Sequence, residues 1–243
     1  MPETLQERVA RLIRDSLGEP GSALPSEAEL VERYGASRNT VRAALAALEA
    51  EGLITSSQGR TRQVRKIHRW EWKMAEWEKA HNNDGDAWSN TIKAQGGIPK
   101  NDLQILSIQA PPDVAEALKI PVGTAIQARN RLRWVNDEPH QLSDSYFPPF
   151  VTDGNDLFWN PSDLGVQGGL LAATGHKQAR WHDVLTARMP SADESQRLMM
   201  APGTPLLIHT RVGYDAEGRP VRYMVSRMAA DRVEVSYDLN TDD

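Results

Sequence analysis

The chain has 243 residues, a formal net charge of −5 and an ordinary apolar content of 40%. This length is enough for one large domain or two smaller ones, each with its own core. No apolar run approaches the ~18 residues of a membrane span and no secretory leader is recognisable, so we expect a cytoplasmic location and no membrane partner. Because the chain has no cysteine, disulfides, thiolate metal sites and cysteine nucleophiles are excluded.

The charge is unevenly distributed. Residues 1–66 carry ten Lys/Arg against nine Asp/Glu, whereas residues 67–243 carry eighteen against twenty-four. Four cations, from Arg60 to Lys66, crowd together with no acid among them. DNA binding depends on where the charge lies, so the acidic total does not exclude it.

Three helices are predicted in the first 52 residues. Apolar residues at helical spacing predict the first over 4–17. Ser26, with Glu29 three residues later, forms a capping box for the second, over 27–34. Ser37 caps the third, which carries a buried stripe and ends at Gly52.

Two short strands follow the third helix. Leu53–Thr55 and Gln63–Arg65 flank a polar turn and are typical of a hairpin. Three helices and a hairpin together predict a winged helix-turn-helix over residues 1–66. The polar stretch 67–87 is interpreted as a linker, and its tryptophans either stack on bases or, as we favour, anchor against the neighbouring domain.

Residues 88–243 are predicted to form an α+β domain. Six strands are predicted there: 105–108, 126–135, 140–147, 181–188, 206–213 and 221–228. Short helices are predicted over 113–118 and 193–200. Each precedes a similar sequence segment, which is predicted to contain a Pro-x-Gly-Thr turn, a strand, a hairpin turn and a second strand. Two similar halves predict one antiparallel sheet around a central cleft.

These features resemble a known family. Residues 22–54 are similar to the N-terminal domain of the GntR bacterial transcription regulators, through LPSE, YG, SR, TVR and EGLI in that order. The C-terminal part resembles the ligand-sensing domain of the HutC subgroup, called UTRA, which shares its fold with chorismate lyase. The resemblance implies a homodimeric regulator that binds double-stranded operator DNA and a small-molecule effector.

The resemblance places the DNA contacts at two elements. On the third helix the family's contact positions are Ser37, Arg38, Asn39, Thr40 and Arg42. Side chains of these types suit base edges and phosphates, and a helix N-terminus is itself an anion site. On the wing the corresponding residues are Gln58, Gly59, Arg60 and Arg62.

Two residues depart from the family pattern. Ala28 stands where relatives often carry an arginine after LPSE, so one expected contact is missing. The wing lacks the second glycine of the usual Gly-Arg-Gly-Thr and carries Arg62. We interpret Arg62 as an additional phosphate clamp.

The effector site is predicted from the same resemblance. Ser89 matches a small hydroxyl residue near the start of the sensor domain, and Arg131 and Arg133 match an Arg-x-Arg pair. Gly169 stands in the segment that is Ser-Leu-Tyr in relatives that bind sugar phosphates, and Arg222 replaces a late glutamate. The predicted site residues are Ser89, Arg131, Arg133, Tyr146, Gly169 and Arg222. An added cation and a lost carboxylate favour an acidic or carbonyl-bearing effector over an amine.

Several alternatives remain open from the sequence. The arginines either bind an effector or form salt bridges on the sheet surface. The preferred function is a repressor released from a near-palindromic operator by its effector. A chorismate-lyase-like enzyme and a DNA-binding protein that senses nothing are the other two hypotheses. No cofactor or metal is expected, because the six histidines show no paired ligand spacing.

Overall fold

The computed structural model describes residues 3–55, 61–74, 86–161 and 169–238. The chain divides into two compact units. One comprises Met1–His68 and Met189–Pro205, and the other comprises Arg69–Arg188 and Leu206–Asp243. In the part of the chain that the structure describes, no helix is both long and apolar enough to cross a membrane.

The first unit contains the predicted winged helix-turn-helix. Its elements are α1 (Leu5–Asp15), α2 (Glu27–Tyr34), α3 (Arg38–Ala50), β1 (Ile54–Thr55) and β2 (Gln63–Val64). The strands pair antiparallel as the predicted hairpin. The core has eleven buried members: Val9, Ala10, Ile13, Leu24, Leu30, Ala36, Val41, Ala44, Leu45, Leu48 and Ile54. The helical stripes predicted from spacing therefore face one another.

Local signals fix the helix ends in this unit. Ser26 and Glu29 form the predicted capping box at the start of α2. Gly35 follows α2 with φ +60°, a left-handed conformation that glycine adopts without steric cost. This turn directs the chain into α3, whose N-cap is Ser37.

The second unit is built on a six-stranded antiparallel sheet. Its strands are β4 (Pro99–Gln109), β5 (Ala125–Val135), β6 (Glu138–Phe147), β7 (Arg180–Arg188), β8 (Leu206–Tyr214) and β9 (Pro220–Ala229). Their order is β4-β5-β6-β9-β8-β7. The antiparallel sheet predicted from the sequence is confirmed, and its two halves, β4-β5-β6 and β7-β8-β9, meet at β6 and β9.

A second, smaller sheet corrects the predicted linker. Trp70–Lys73 forms a strand, β3, which pairs in parallel with β10 (Val233–Ser236). Trp72 is buried in this strand, so the period-two pattern of WEWK is that of a half-buried strand and not of a spacer. Residues 75–85 of the predicted linker lie outside the described residues.

Short helices precede or connect these strands along the chain. They are α4 (Ala87–Ala94), α5 (Pro112–Leu118), α6 (Pro149–Thr152), a 3₁₀ helix (Asp156–Trp159), α7 (Gly169–Ala173) and α8 (Ala192–Arg197). Of these, α5 and α8 correspond to the two helices predicted from the sequence. The segment with α8 clusters with the first unit, although it joins β7 to β8 along the chain.

Candidate DNA-binding surface and effector cleft

The start of α3 presents exposed polar side chains. Ser37 caps the helix, because its hydroxyl accepts a hydrogen bond from the backbone N–H of Thr40 at 3.1 Å. The hydroxyls of these two residues are also 2.8 Å apart. Arg38, Asn39 and Arg42 are exposed around them. Ser37 and Thr40 thus order the first turn, while the arginines and the asparagine are accessible to DNA.

Glu27, the first residue of α2, lies close to three arginines of this surface. Its Oε2 accepts a hydrogen bond from Nε of Arg42 at 3.0 Å and lies 3.6 Å from Nε of Arg38. Its Oε1 accepts one from Nη1 of Arg62 at 3.2 Å. The hydrogen bond from Arg42 is the main reason why the pKa of the Glu27 carboxyl is lowered. One carboxylate therefore partly neutralises three predicted DNA contacts, and the sequence pattern did not reveal it.

Arg62 is held more firmly than the sequence suggested. Besides Glu27, it donates from Nε to Oε1 of Glu49 at 2.9 Å. Two carboxylates therefore hold the residue that we interpreted as an additional phosphate clamp. The other predicted wing contacts, Gln58, Gly59 and Arg60, lie outside the described residues.

The cleft face of the six-stranded sheet carries three of the six predicted effector residues, Arg131, Arg133 and Arg222. The register aligns Arg131, Ser143, Ser226 and His209 across β5, β6, β9 and β8. The neighbouring row holds Arg129, Ser145, Met224 and Arg211 in the same strands. In the first row the two central serines lie between Arg131 and His209, and in the second row Ser145 and Met224 lie between Arg129 and Arg211.

Arg133 lies at one end of this face and is fixed by the start of α4. Its Nη2 donates to Oδ1 of Asp86 at 3.3 Å, and its guanidinium lies 4.8 Å from the centre of the Trp88 ring. Asp86 caps α4 by accepting from the backbone N–H of Ser89. Arg133 and Arg131 lower the pKa of the Asp86 carboxyl against the opposing effect of burial. The structure thus brings the predicted Ser89 and Arg133 into one network.

Arg222 lies on the same face and has no carboxylate among its contacts within the described residues. Its Nη2 donates to the Ser145 hydroxyl at 2.8 Å and lies 3.2 Å from Sδ of Met224. Burial of the guanidinium, together with nearby Arg131 and Arg211, lowers the pKa of Arg222 to about 9. The residue as a whole keeps part of its surface exposed.

A second network, which the sequence did not predict, lies across β7 and β8. Asp183 accepts two hydrogen bonds from Arg211, at 2.6 and 2.7 Å, and its Oδ1 lies 2.7 Å from Nε2 of His209. These partners lower the pKa of Asp183 to about 2 despite its partial burial. Burial lowers the pKa of His209. The signal in the sequence was the alternation of His209 and Arg211 along a predicted strand.

Two predicted effector residues lie elsewhere. Tyr146 points to the opposite face of the sheet, where its ring stacks on Tyr223 at 6.1 Å beside the α5 cluster. Adjacent residues of a strand face opposite sides, so Tyr146 cannot share a face with Ser145. Gly169 begins α7 with φ +71°. The structure therefore brings together Ser89, Arg131, Arg133 and Arg222, and leaves these two residues apart from them.

Comparison with known proteins identifies both domains. Residues 2–64 match the bacterial regulatory proteins of the gntR family, and residues 95–234 match the UTRA domain. The HTH-type transcriptional regulator SCO4628 of Streptomyces coelicolor is 32% identical over 98% of this chain and 92% of its own. The HTH-type transcriptional regulator GgaR of Escherichia coli is 27% identical over 93% and 85%, respectively. The crystal structure of PhnF from Mycobacterium smegmatis has the same fold, with a TM-score of 0.60 at 21% identity over 98% and 100% of the two chains.

A winged helix-turn-helix with an exposed recognition helix, joined to a sheet with a polar cleft, defines a DNA-binding transcription regulator with a sensor domain. The chain belongs to the GntR family of such regulators and carries a UTRA ligand-binding domain. Its domains and relatives are those of transcription regulators and not of enzymes.

Proposed function

We propose that the protein is a homodimeric repressor that an anionic small molecule releases from its operator. The observation that carries this proposal is Arg222, a partly exposed cation on the cleft face whose contacts within the described residues include no carboxylate. A charged group in such a place favours an anion, which would form charge-assisted hydrogen bonds with it.

The charges around Arg222 support the same class of ligand. Arg131, Arg133 and Arg211 are buried on the same face. Asp86 balances Arg133, and Asp183 balances Arg211. The positive charges of Arg131, Arg211 and Arg133 all act on Arg222. An amine would meet repulsion there, whereas a carboxylate or phosphate would reduce the mutual repulsion of the arginines.

The dimer follows from the size of the DNA contact. One recognition helix reads only a half-site, so a pair of heads on a near-palindromic operator is needed for tight and specific binding. A ligand that binds one arrangement of the heads more tightly shifts operator affinity by its differential binding, typically ~1–3 kcal/mol. The effector releases the repressor from its operator. We also propose that the protein belongs to the HutC subgroup, because the layout of its sensor domain resembles that of the subgroup.

The test measures affinity for the DNA upstream of the protein's own gene, with and without added anions. Inorganic phosphate, succinate and orotate are the probes, and succinamide is the neutral partner of succinate. At least one anion is expected to weaken DNA binding of the wild type by roughly 5–150-fold, while succinamide has no effect. Arg222→Gln should abolish that response.

A matched control is Arg219→Gln, which removes an exposed arginine paired with Asp215 on the β8–β9 hairpin. This variant should respond like the wild type. The proposal is contradicted if no anion changes DNA binding, or if the Arg222 variant responds as strongly as the wild type.

A further inference from the structure

The segment Met189–Pro205 joins two strands of the sensor sheet but belongs to the compact unit that contains the winged helix-turn-helix. It leaves the sheet after Arg188, the last residue of β7, and returns to it at Leu206, the first residue of β8. These two residues are also partners in the β7–β8 register. One pair of strands therefore holds both ends of the segment side by side.

Local hydrogen bonds make this segment an ordered element. Ser191 and Glu194 form a capping box at the start of α8, with bonds of 2.8 and 3.2 Å. Leu198 is fully buried and donates its backbone N–H to the carbonyl oxygen of Glu194. A turn over residues 201–204 follows, closed by a backbone hydrogen bond of 3.3 Å from Thr204 to Ala201. Because the segment is ordered, it can transmit a movement of its ends.

The turn at residues 201–204 meets the C-terminal end of α3. The backbone of Gly203 approaches Ala50, the last residue of α3, so closely that a Cβ atom on residue 203 would overlap the Ala50 carbonyl oxygen. Gly203 also has φ +73°, in the left-handed region that favours glycine. Next to it, the hydroxyl of the buried Thr204 accepts a hydrogen bond from Nη1 of Arg65 at 3.4 Å. Both the backbone conformation and the contact with α3 therefore favour glycine at position 203.

A related turn in the same sheet differs in this contact. Residues 121–124 precede β5 as residues 201–204 precede β8, and Thr124 closes the first turn with a backbone hydrogen bond of 3.2 Å to Pro121. Gly123 has φ +80°, but a Cβ atom there would meet nothing within 4 Å in the described parts of the chain. The two glycines thus share a backbone conformation and differ in their approach to α3.

The contact leaves the proposed DNA-binding end of α3 uncovered. At ~1.5 Å per residue, Ala50 lies about 18 Å from Arg38 along the helix. The turn therefore affects the direction of α3 and not access to its first turn. Further along the chain, His209 follows Leu206 by about 10 Å of strand, and it contacts Asp183 on the cleft face.

We propose that the turn at residues 201–204 couples the sensor sheet to the recognition helix. The turn holds the C-terminal end of α3, so a shift of β7 against β8 moves the turn and reorients the helix. An effector on the cleft face changes operator affinity by this route. The inference deepens the proposed function by naming the element through which the effector acts, but the coupling does not depend on the effector's identity.

The test uses DNA as the ligand, because coupling between two sites is reciprocal. Hydrogen exchange of the full-length protein is measured with and without a random-sequence duplex, at low salt, where binding does not require a specific sequence. The reporters are the backbone amides of residues 206–208, at the start of β8. Duplex binding is expected to change their exchange rates in the wild type.

Gly203→Asn should abolish this response while the duplex still binds. Asparagine tolerates the left-handed conformation, so the turn itself is expected to form. Its Cβ atom collides with the Ala50 carbonyl, and Gly203 is otherwise exposed, so the turn can move away from α3.

Gly123→Asn is the matched control, since it adds the same side chain to the same backbone conformation without a neighbouring helix end. This variant should respond to the duplex like the wild type. The coupling is overturned if the wild-type amides do not respond, if Gly203→Asn responds as the wild type does, or if Gly123→Asn loses the response as well.

The proposed function is judged by a separate measurement. If phosphate, succinate and orotate all leave DNA binding of the wild type unchanged, the proposed function fails, whereas the duplex experiment still decides the coupling. If one of them weakens DNA binding of the wild type, Gly203→Asn should bind that anion in calorimetry without any change in DNA affinity. A wild-type response of the variant to the anion would overturn the coupling and leave the proposed function standing.

Discussion

Glu27 is expected to weaken DNA binding by competing with phosphates for the arginines that we propose as DNA contacts. Its carboxylate lies 3.0 Å from Arg42, 3.2 Å from Arg62 and 3.6 Å from Arg38. A phosphate that binds the same guanidinium groups would come within a few ångströms of the carboxylate. Like charges at such a distance in water repel by ~1 kcal/mol. Arg38 and Arg42 are exposed, and ion pairs made by exposed partners contribute little to folding, so Glu27→Gln should leave the fold intact.

Glu27→Gln should therefore strengthen binding to a random-sequence duplex by about fivefold for each head, which corresponds to ~1 kcal/mol. The slope of log affinity against log salt should steepen by about one for each head, because one more positive charge is available to the phosphates. The assay is fluorescence anisotropy of a labelled duplex over a salt series.

Glu32→Gln provides the control, because it removes the same charge from an exposed position on α2 outside the cluster. It should change affinity and slope much less. Equal behaviour of the two variants would show that net charge alone matters and would refute the reasoning. An unchanged slope for Glu27→Gln would refute it as well.

Three further variants test the local arguments. Ser37→Ala removes the N-cap of α3 and should lower the free energy of unfolding by about 1 kcal/mol in urea denaturation, whereas an unchanged midpoint would contradict the cap. Asp183→Asn leaves Arg211 without its bidentate partner and should destabilise the protein by roughly 3–5 kcal/mol, seen as a lower thermal midpoint. His140 is neutral in the folded state, so its contribution to stability is complete above pH 6.5 and is lost as the pH falls towards 4. Between pH 6.5 and 4, the His140→Gln variant should lose about 3 kcal/mol less free energy of unfolding than the wild type. Parallel curves of this free energy against pH for the two proteins, measured in urea, would contradict this.

Much of the DNA-binding unit could be predicted, because its signals are local. Ser26, Glu29 and Ser37 cap helices through neighbours three residues away, and short-range spacing identifies the buried stripes. The bonds of Glu27 to Arg42 and Arg62 span 15 and 35 residues and depend on how α2, α3 and the hairpin pack. Nothing in the local pattern distinguishes that carboxylate from a solvated one.

The cleft was predictable only in part for the same reason. The resemblance assigned Arg131 and Arg133 to the site, and the structure places both on one face of the sheet. The resemblance also led us to assign Tyr146 to the site, although its position in the strand turns it to the other face. The bond of His209 to Asp183 needs the β7–β8 register, and the bulge at His140 needs the β5–β6 register. β3 was missed because its partner, β10, lies near the other end of the chain.

The central claim is that α3 reads a specific DNA site. The most direct measurement is a gel shift of the wild type and of Arg38→Ala against the DNA upstream of the protein's own gene, with a random duplex of equal length as competitor. Selective, cooperative binding by the wild type and a loss of roughly 1–3 kcal/mol in the variant are expected if Arg38 contacts a base edge as proposed. Binding that is equally weak for both proteins and both duplexes would contradict it.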